Sequence, residues 1–297
     1  MKATLVVAGD DRLLPFQVDR QAVRGRLVRL GAAVDEILTR HQYPPAVARM
    51  LGQTLALACL FAGALKYDGV FTLQTRGDGP IGLMVADVTS AGHLRGYAQF
   101  DAAKVAAAEA GTVKAEVPRL LGAGYLAFTV DQGPDTERYQ GIVALEGGTL
   151  GECVHHYFQQ SEQIGAGISL ACHQIAGAWR AGGIMLNRLP DEGGEATLSA
   201  EEAEDGWRRA LLLLGTATET ELVDPSLAAN DVLFRLFHED GVRVYAARDL
   251  IARCRCSLDR VSGMLASLPP EDREHLAVDG KIEVTCEFCN QSYQLAV

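Results

Sequence analysis

Four cysteines toward the C-terminal end constrain this chain more than any other feature. Cys254 and Cys256 form a Cys-x-Cys pair, and Cys286 and Cys289 form a Cys-x-x-Cys pair after 29 intervening residues. Two close pairs on opposite flanks of a short segment offer four soft donors from two tight turns, which is what a tetrahedral metal site requires. Four thiolates fill such a site and leave no position for water or substrate, so a structural ion is expected rather than a catalytic one. One zinc ion is the expectation, with iron the minority alternative for an all-sulfur set. Strand-like runs at Lys281–Thr285 and Ser292–Ala296 bracket the second pair, as in a zinc-ribbon hairpin. A thioredoxin-like use of Cys286-Glu287-Phe288-Cys289 would want a βαβ setting, which this context does not offer.

The segment from Asp249 to Val297 has 49 residues and few apolar ones: Leu258, Val261, Met264, Leu265, Leu268 and Leu276, then Ile282, Val284, Phe288, Tyr293 and Leu295. That is near the size below which a core alone rarely suffices. A structural zinc contributes an apparent ~10–16 kcal/mol in small modules, against roughly 5–15 kcal/mol for the stability of a whole domain. The module is therefore expected to be folded only while metal is bound, and to unfold when its thiolates are oxidised. Metal-held sulfurs are deprotonated, and the thiolate is the form that peroxide or hypochlorite attacks. Arg253 and Arg255 flank the first pair and favour thiolate further. Each pair is close enough in sequence to close a local disulfide, the Cys254–Cys256 ring being the more strained. Spacing leaves two uses open, a permanent structural ion and an oxidant sensor, and by itself favours the first.

Elsewhere the sequence is informative mainly about architecture. Residues 1–190 read as an α+β domain with a mostly antiparallel sheet, because consecutive strand patterns outnumber βαβ alternation. Strands are expected at Phe16–Val18, Val23–Leu30, Val70–Thr75, Ile81–Val88, His93–Tyr97, Tyr125–Val130, Tyr139–Ala144, Ile168–Ile175 and Trp179–Leu189. In the second of these Arg24 and Arg26 alternate with Val23, Gly25 and Leu27 and are expected on the outward face. Helices are expected at Ala32–Arg40, at Ala46–Leu65, which is apolar almost all round and so buried, and at Leu150–Gln163. Composition changes at Pro190, with seven acids and no base from Asp191 to Asp205. Residues 191–248 read as a linker of amphipathic helices, one opened by the capping-box spacing Ser199-x-x-Glu202 and carrying an apolar face of Trp207, Leu211, Leu212 and Leu214. Residues 249–297 form the cysteine module.

A net charge of −11 argues against nucleic acid as a partner, as do eight acids against five bases within the module. The uncharged, apolar run Met50–Leu65 falls short of the roughly 20 apolar residues of a membrane span, and the N-terminal apolar run is short for a signal peptide. A cytoplasmic protein without membrane contact is expected, so Cys59, Cys153 and Cys172 are expected to be reduced core thiols. Gly77-Asp78-Gly79-Pro80-Ile81-Gly82 matches a dinucleotide fingerprint by letter, but Pro80 leads into a strand pattern rather than a helix, so it reads as a hairpin turn. His155, His156 and His173 have no partner by spacing and read as core or surface residues. No catalytic motif is visible, and no enzyme is expected.

The chain resembles the redox-regulated heat-shock holdase chaperones, the 33 kDa chaperonin family. The likeness rests on Leu65-Lys66-Tyr67-Asp68-Gly69, Gln74-x-x-Gly77-Asp78-Gly79-Pro80, Tyr157-Phe158-x-Gln160-Ser161-Glu162-Gln163, Leu236-Phe237-His238-Glu239, Cys254-x-Cys256-Ser257 and Cys286-Glu287-Phe288-Cys289-Asn290. It spans nearly the whole chain, and it turns the preference from a permanent ion to a switch. The resemblance implies an N-terminal α/β domain, a helical linker and a C-terminal zinc switch. It implies that the reduced zinc form is inactive, and that oxidation forms the Cys254–Cys256 and Cys286–Cys289 disulfides, expels zinc, unfolds the switch and destabilises the linker. The opened protein would dimerise and hold unfolding clients without ATP. The alternative is a constitutive zinc-ribbon docking module without redox switching.

Overall fold

The computed structural model describes residues 9–19, 23–113, 115–133, 136–158, 165–189 and 199–296. It divides into two compact units, Met1–Ala252 and Arg253–Val297. The first unit opens with strands β1 (Arg12–Val18) and β2 (Val23–Leu30), then helices α1 (Ala32–Thr39) and α2 (Pro45–Ala64). A meander follows, β3 (Val70–Gly77), β4 (Ile81–Thr89) and β5 (His93–Phe100), then α3 (Ala102–Ala110) and a π-helical turn at Val117–Leu121. Next come β6 (Gly124–Asp131), β7 (Tyr139–Ala144), α4 (Leu150–Tyr157), β8 (Ala166–Ile175) and β9 (Ala178–Arg188). Helices α5 (Ala200–Leu214), α6 (Glu219–Val223) and α7 (Ala229–Phe237) precede the short strands β10 (Val242–Val244), β11 (Arg248–Asp249) and β12 (Ile251–Ala252).

One sheet has the order β10-β1-β2-β9-β8, with β11 also on β1, and the other has β12-β5-β4-β3-β6-β7. Every pairing is antiparallel except the short β12–β5 contact. The architecture is the α+β, mostly antiparallel one that the strand spacing indicates. Helix α2 is the centre of the unit. It is apolar on all sides because it packs against both sheets, and residues from Ala46 to Ala62 are buried along almost its whole length. It is long and apolar enough to cross a membrane, yet 89% of its apolar window is buried inside this fold, which makes it a core helix.

The first sheet is covered on both faces. Leu13, Val28 and Met185 join the α2 core, while Leu14, Phe16, Leu27 and Ile184 join a second core with α5, α6 and α7. Phe16 stacks on Phe237 at 5.8 Å, and it has room because Gly25 stands opposite it, where a Cβ would fall 2.1 Å from the Phe16 ring. Two-sided burial explains why β1 starts at Arg12, ahead of the expected Phe16: adjacent Leu13 and Leu14 are both buried, so the strand shows no alternation. Arg24 is exposed and Arg26 half-buried, as the alternation indicates, whereas Arg29 further along β2 is only 2% exposed.

The helices of residues 199–237 are thus packed on the sheet as part of the first unit. Helix α5 opens with the expected capping box, Ser199 and Glu202 each bonding the other's backbone amide. Trp207, Leu211 and Leu214 recur at i, i+4 and i+7 and face the sheet, whereas Leu212, placed on the same face by the sequence reading, points out at 71% exposure. The expected helix at Leu150–Gln163 is observed from Leu150 to Tyr157, and its residues 159–163 lie outside the described residues, as does most of the acidic run at 190–198.

The second unit holds helices α8 (Leu258–Ala266) and α9 (Pro270–Leu276) and the hairpin β13 (Lys281–Thr285) and β14 (Ser292–Ala296). Its buried core is Val261, Leu265 and Ile282, with Val284, Tyr293 and Leu295 half-buried around them.

Candidate metal centre

Cys254 and Cys256 lie on the extended segment leading into α8. Ser257 caps that helix by accepting from the Arg260 amide, and the Arg260 guanidinium donates to the Arg255 carbonyl at 3.0 Å, so the helix start fixes the Cys-x-Cys turn. Cys286 and Cys289 sit in the turn joining β13 to β14. The Cys286 amide donates to the Gln291 carbonyl at 2.9 Å and the Asn290 amide to the Cys286 carbonyl at 2.8 Å. Asn290 closes the turn in the left-handed region at φ 58°, which asparagine tolerates better than most residues.

These two turns bring the four sulfurs together. Cys254 Sγ lies 3.7 Å from Cys286 Sγ, Cys256 Sγ lies 3.3 Å from Cys289 Sγ, and all four are within 4.8 Å of one another. An ion with metal–sulfur bonds of ~2.3 Å in tetrahedral geometry needs sulfurs ~3.8 Å apart. The donor set, its number and its spacing all fit such an ion. Among the described residues this is the one gathering of metal-ligating side chains of that closeness. All four are free thiols, and both of these sulfur contacts run across the two turns.

The electrostatics ask for a cation. Burial, together with the neighbouring sulfurs, pushes the Cys286 and Cys289 thiols above their ordinary range, although backbone amides of Phe288, Cys289 and Gln291 donate to them. Several thiolates in contact repel one another, so positive charge at the centre is what lets them ionise together. Tyr293 on β14 adds a donor from outside either turn, its hydroxyl reaching Cys256 Sγ at 3.1 Å. That hydrogen bond pushes the phenol up to about 12, so it stays protonated as a donor.

Cys59, Cys153 and Cys172 are buried in the first unit. Burial pushes Cys153 up to about 11 and Cys172 up to about 12, and Cys59 further. His155 Nδ1 meets the Ala166 carbonyl at 2.6 Å, and His173 Nε2 meets Glu219 at 2.6 Å near the surface. The Gly77–Gly82 stretch is the β3–β4 hairpin turn, its Asp78 carboxylate accepting from the Ala123 amide at 2.8 Å.

A family model described as "Hsp33 protein" matches residues 11–296. The chain belongs to the Hsp33 family. Among known Hsp33 relatives, the 33 kDa chaperonin of Caulobacter vibrioides is 44% identical over 291 residues, covering 96% of this chain and 95% of its own length. That of Pseudomonas fluorescens is 37% identical over 280 residues, covering 94% and 88%. The crystal structure of the Thermotoga maritima 33 kDa chaperonin, a heat shock protein 33 homolog, aligns with a TM-score of 0.78 at 25% identity, covering 96% of this chain and 95% of that one. Several Hsp33 sequence motifs prove to be scaffold. The Tyr43 hydroxyl accepts from the Ala98 amide at 3.1 Å, and the Tyr67 hydroxyl donates to the Val88 carbonyl at 2.9 Å. The sequence reading missed Tyr293 and the buried Arg29 and Arg180, all of which act on partners far away in the chain.

Proposed function

We propose that this chain is a redox-regulated, ATP-independent holdase, quiescent when reduced and metal-loaded and able to bind unfolding proteins once oxidised. The observation that carries this reading is the pairing of a four-sulfur cluster with a unit whose buried apolar core is three residues. A bound zinc ion would supply the charge that lets four crowded sulfurs ionise and would tie the two turns into one fold. Cys254, Cys256, Cys286 and Cys289 would be both its ligands and the switch. Thiolates are the reactive form, so the same sulfurs that hold the ion are the ones an oxidant meets.

We assign the parts as residues 1–190 for the core, 191–248 for the helical linker and 249–297 for the switch. The route from switch to linker runs along the chain. Immediately before Cys254, the two-residue strands β12 and β11 stitch the chain to β5 and β1, and β10 holds it to β1 just after α7. Strands this short peel one at a time. Unfolding that starts at the cysteines can therefore travel upstream to α7, whose buried face of Val232, Leu233, Leu236 and Phe237 would become available to the apolar segments of clients. The oxidised form would act as a homodimer in the cytoplasm, with neither nucleic acid nor membrane as a partner and without catalysis.

In the folded cluster sulfurs of opposite turns lie in contact, whereas in an unfolded chain the shorter loops are the less costly to close. Near-neighbour disulfides, Cys254–Cys256 and Cys286–Cys289, are the pairing expected if oxidation and unfolding proceed together. The test exposes the reduced, zinc-loaded protein to hydrogen peroxide with mild heat. Zinc release, disulfides and suppression of client aggregation are then followed side by side. One zinc per chain should leave as near-neighbour disulfides form and suppression appears. A metal that stays bound, with equal suppression before and after oxidant, would establish the constitutive docking module instead.

A further inference from the structure

The four sulfurs do not have equivalent surroundings. Cys286 and Cys289 accept hydrogen bonds from amides of their own turn, donors that any side chain in the turn would leave in place. Cys256 accepts from a side chain, the Tyr293 hydroxyl at 3.1 Å, 37 residues away. The donor is held firmly. Tyr293 pairs across the hairpin with Val284, and its ring packs on the Val261, Leu265 and Ile282 core, so the hydroxyl is aimed by the fold of the unit.

We propose that Tyr293 is a positioning residue for the oxidation step: its hydroxyl restrains the Cys256 sulfur and so sets how much oxidant the switch tolerates before it closes. The inference rests on the redox reading above and adds to it a named control on one sulfur. In the step concerned, the Cys256 thiolate attacks one oxygen of hydrogen peroxide. An S–O bond forms, the O–O bond breaks, and hydroxide leaves to be protonated to water. Sulfur is oxidised by two electrons to sulfenic acid while the peroxide is reduced. Cys254 thiolate then attacks that sulfur, the disulfide forms, and hydroxide leaves again. The sulfur that attacks peroxide is the one that accepts the tyrosine O–H. A donated hydrogen bond withdraws electron density from it and occupies part of its approach, which lowers its nucleophilicity.

The contact at 3.1 Å must loosen before the sulfur can reach peroxide, so its removal speeds the attack by about threefold to eightfold, part of what a hydrogen bond to a charged group is worth. Tyr293→Phe removes the hydroxyl and keeps the ring. The zinc-loaded variant and wild type are each treated with hydrogen peroxide and, separately, with iodoacetamide, and the modification of each cysteine is timed by peptide mass spectrometry. Cys256 should react about threefold to eightfold faster in the variant with both reagents, while Cys286 and Cys289 stay within twofold of wild type. Val284→Ala, which loosens the same hairpin without touching sulfur, serves as the packing control and should not single out Cys256.

Equal acceleration of all four sulfurs, an unchanged Cys256, or a Tyr293→Phe protein that no longer retains zinc would each overturn the proposal. If wild type responds to peroxide as a switch and the variant reacts at the same rate, only the role of Tyr293 falls. If neither protein loses metal or gains activity under peroxide, the redox reading falls and takes the proposal with it. The iodoacetamide rates report on the sulfur itself, so they separate the two failures.

Discussion

At the scale of single residues, the same side chain has two fates in this protein, decided by its surroundings. Cys59, Cys153 and Cys172 are sealed in the first unit, where burial raises their pKa, to about 11 for Cys153 and about 12 for Cys172. A thiol so raised is protonated and unreactive throughout the neutral range. Cys254, Cys256, Cys286 and Cys289 are only partly buried and lie against one another. Native labelling after metal removal should therefore find four fast thiols, and the remaining three only after denaturant is added. Raising the pH from 7 to 9 should leave Cys153 and Cys172 silent, because 9 is still well below their pKa. Early labelling of Cys172 in native protein would show that its burial is not maintained in solution.

At the scale of elements, the helices of residues 199–237 are held by more than their apolar stripes. On the face of β2 and β9 that they cover, Arg29 donates to the carbonyls of Leu227 and Asp224, and Arg180 donates to the Val223 carbonyl at 2.9 Å. Both guanidinium groups are buried and share the carboxylate of Asp10, which pairs with Arg180 and lies 3.5 Å from Arg29. The segment between α6 and α7 is thus clamped by two cations on which the carboxylates of Asp10 and Asp224 both act. Asp10→Asn removes the acid that contacts both buried guanidinium groups, a change that costs about 3–5 kcal/mol when a buried pair is broken. Denaturant titration should report that loss, and amide exchange should quicken first at residues 223–227. Uniform quickening across the first unit would mean that Asp10 supports the sheet rather than the clamp. None of this was legible in the sequence. Metal ligands announce themselves by local spacing, and half-buried strands by alternation, so the cysteine quartet and most of both sheets could be read directly. Arg29 gave no sign in the sequence because its acceptors lie nearly 200 residues away, at Leu227. The strands β10, β11 and β12 are two or three residues long, too short to carry a period. Helix α3 is mostly alanine with a single buried residue, Val105, so it has propensity without an apolar stripe.

At the scale of the whole molecule, the two units depend on different forces. The first has two apolar cores meeting on either face of a sheet and a central helix buried along its length. The second has 45 residues, from Arg253 to Val297, and three buried apolar side chains, each worth about 1.5–3 kcal/mol. Its one concentrated source of stability is the sulfur cluster, where a structural ion is worth an apparent ~10–16 kcal/mol. Binding of that kind acts only on the folded state, so removing the ion withdraws its whole contribution from the second unit while leaving both cores of the first untouched. Stripping the reduced protein with a strong chelator should accordingly collapse the amide resonances of residues 253–296 to unfolded positions, Tyr293 and Ile282 included. Residues of α2 and β3 to β6 should keep their shifts, and zinc added back under reducing conditions should restore the lost set. A second unit that keeps its resonances after chelation would mean that its small core suffices, and a switch worked by surrender of the metal could then not operate.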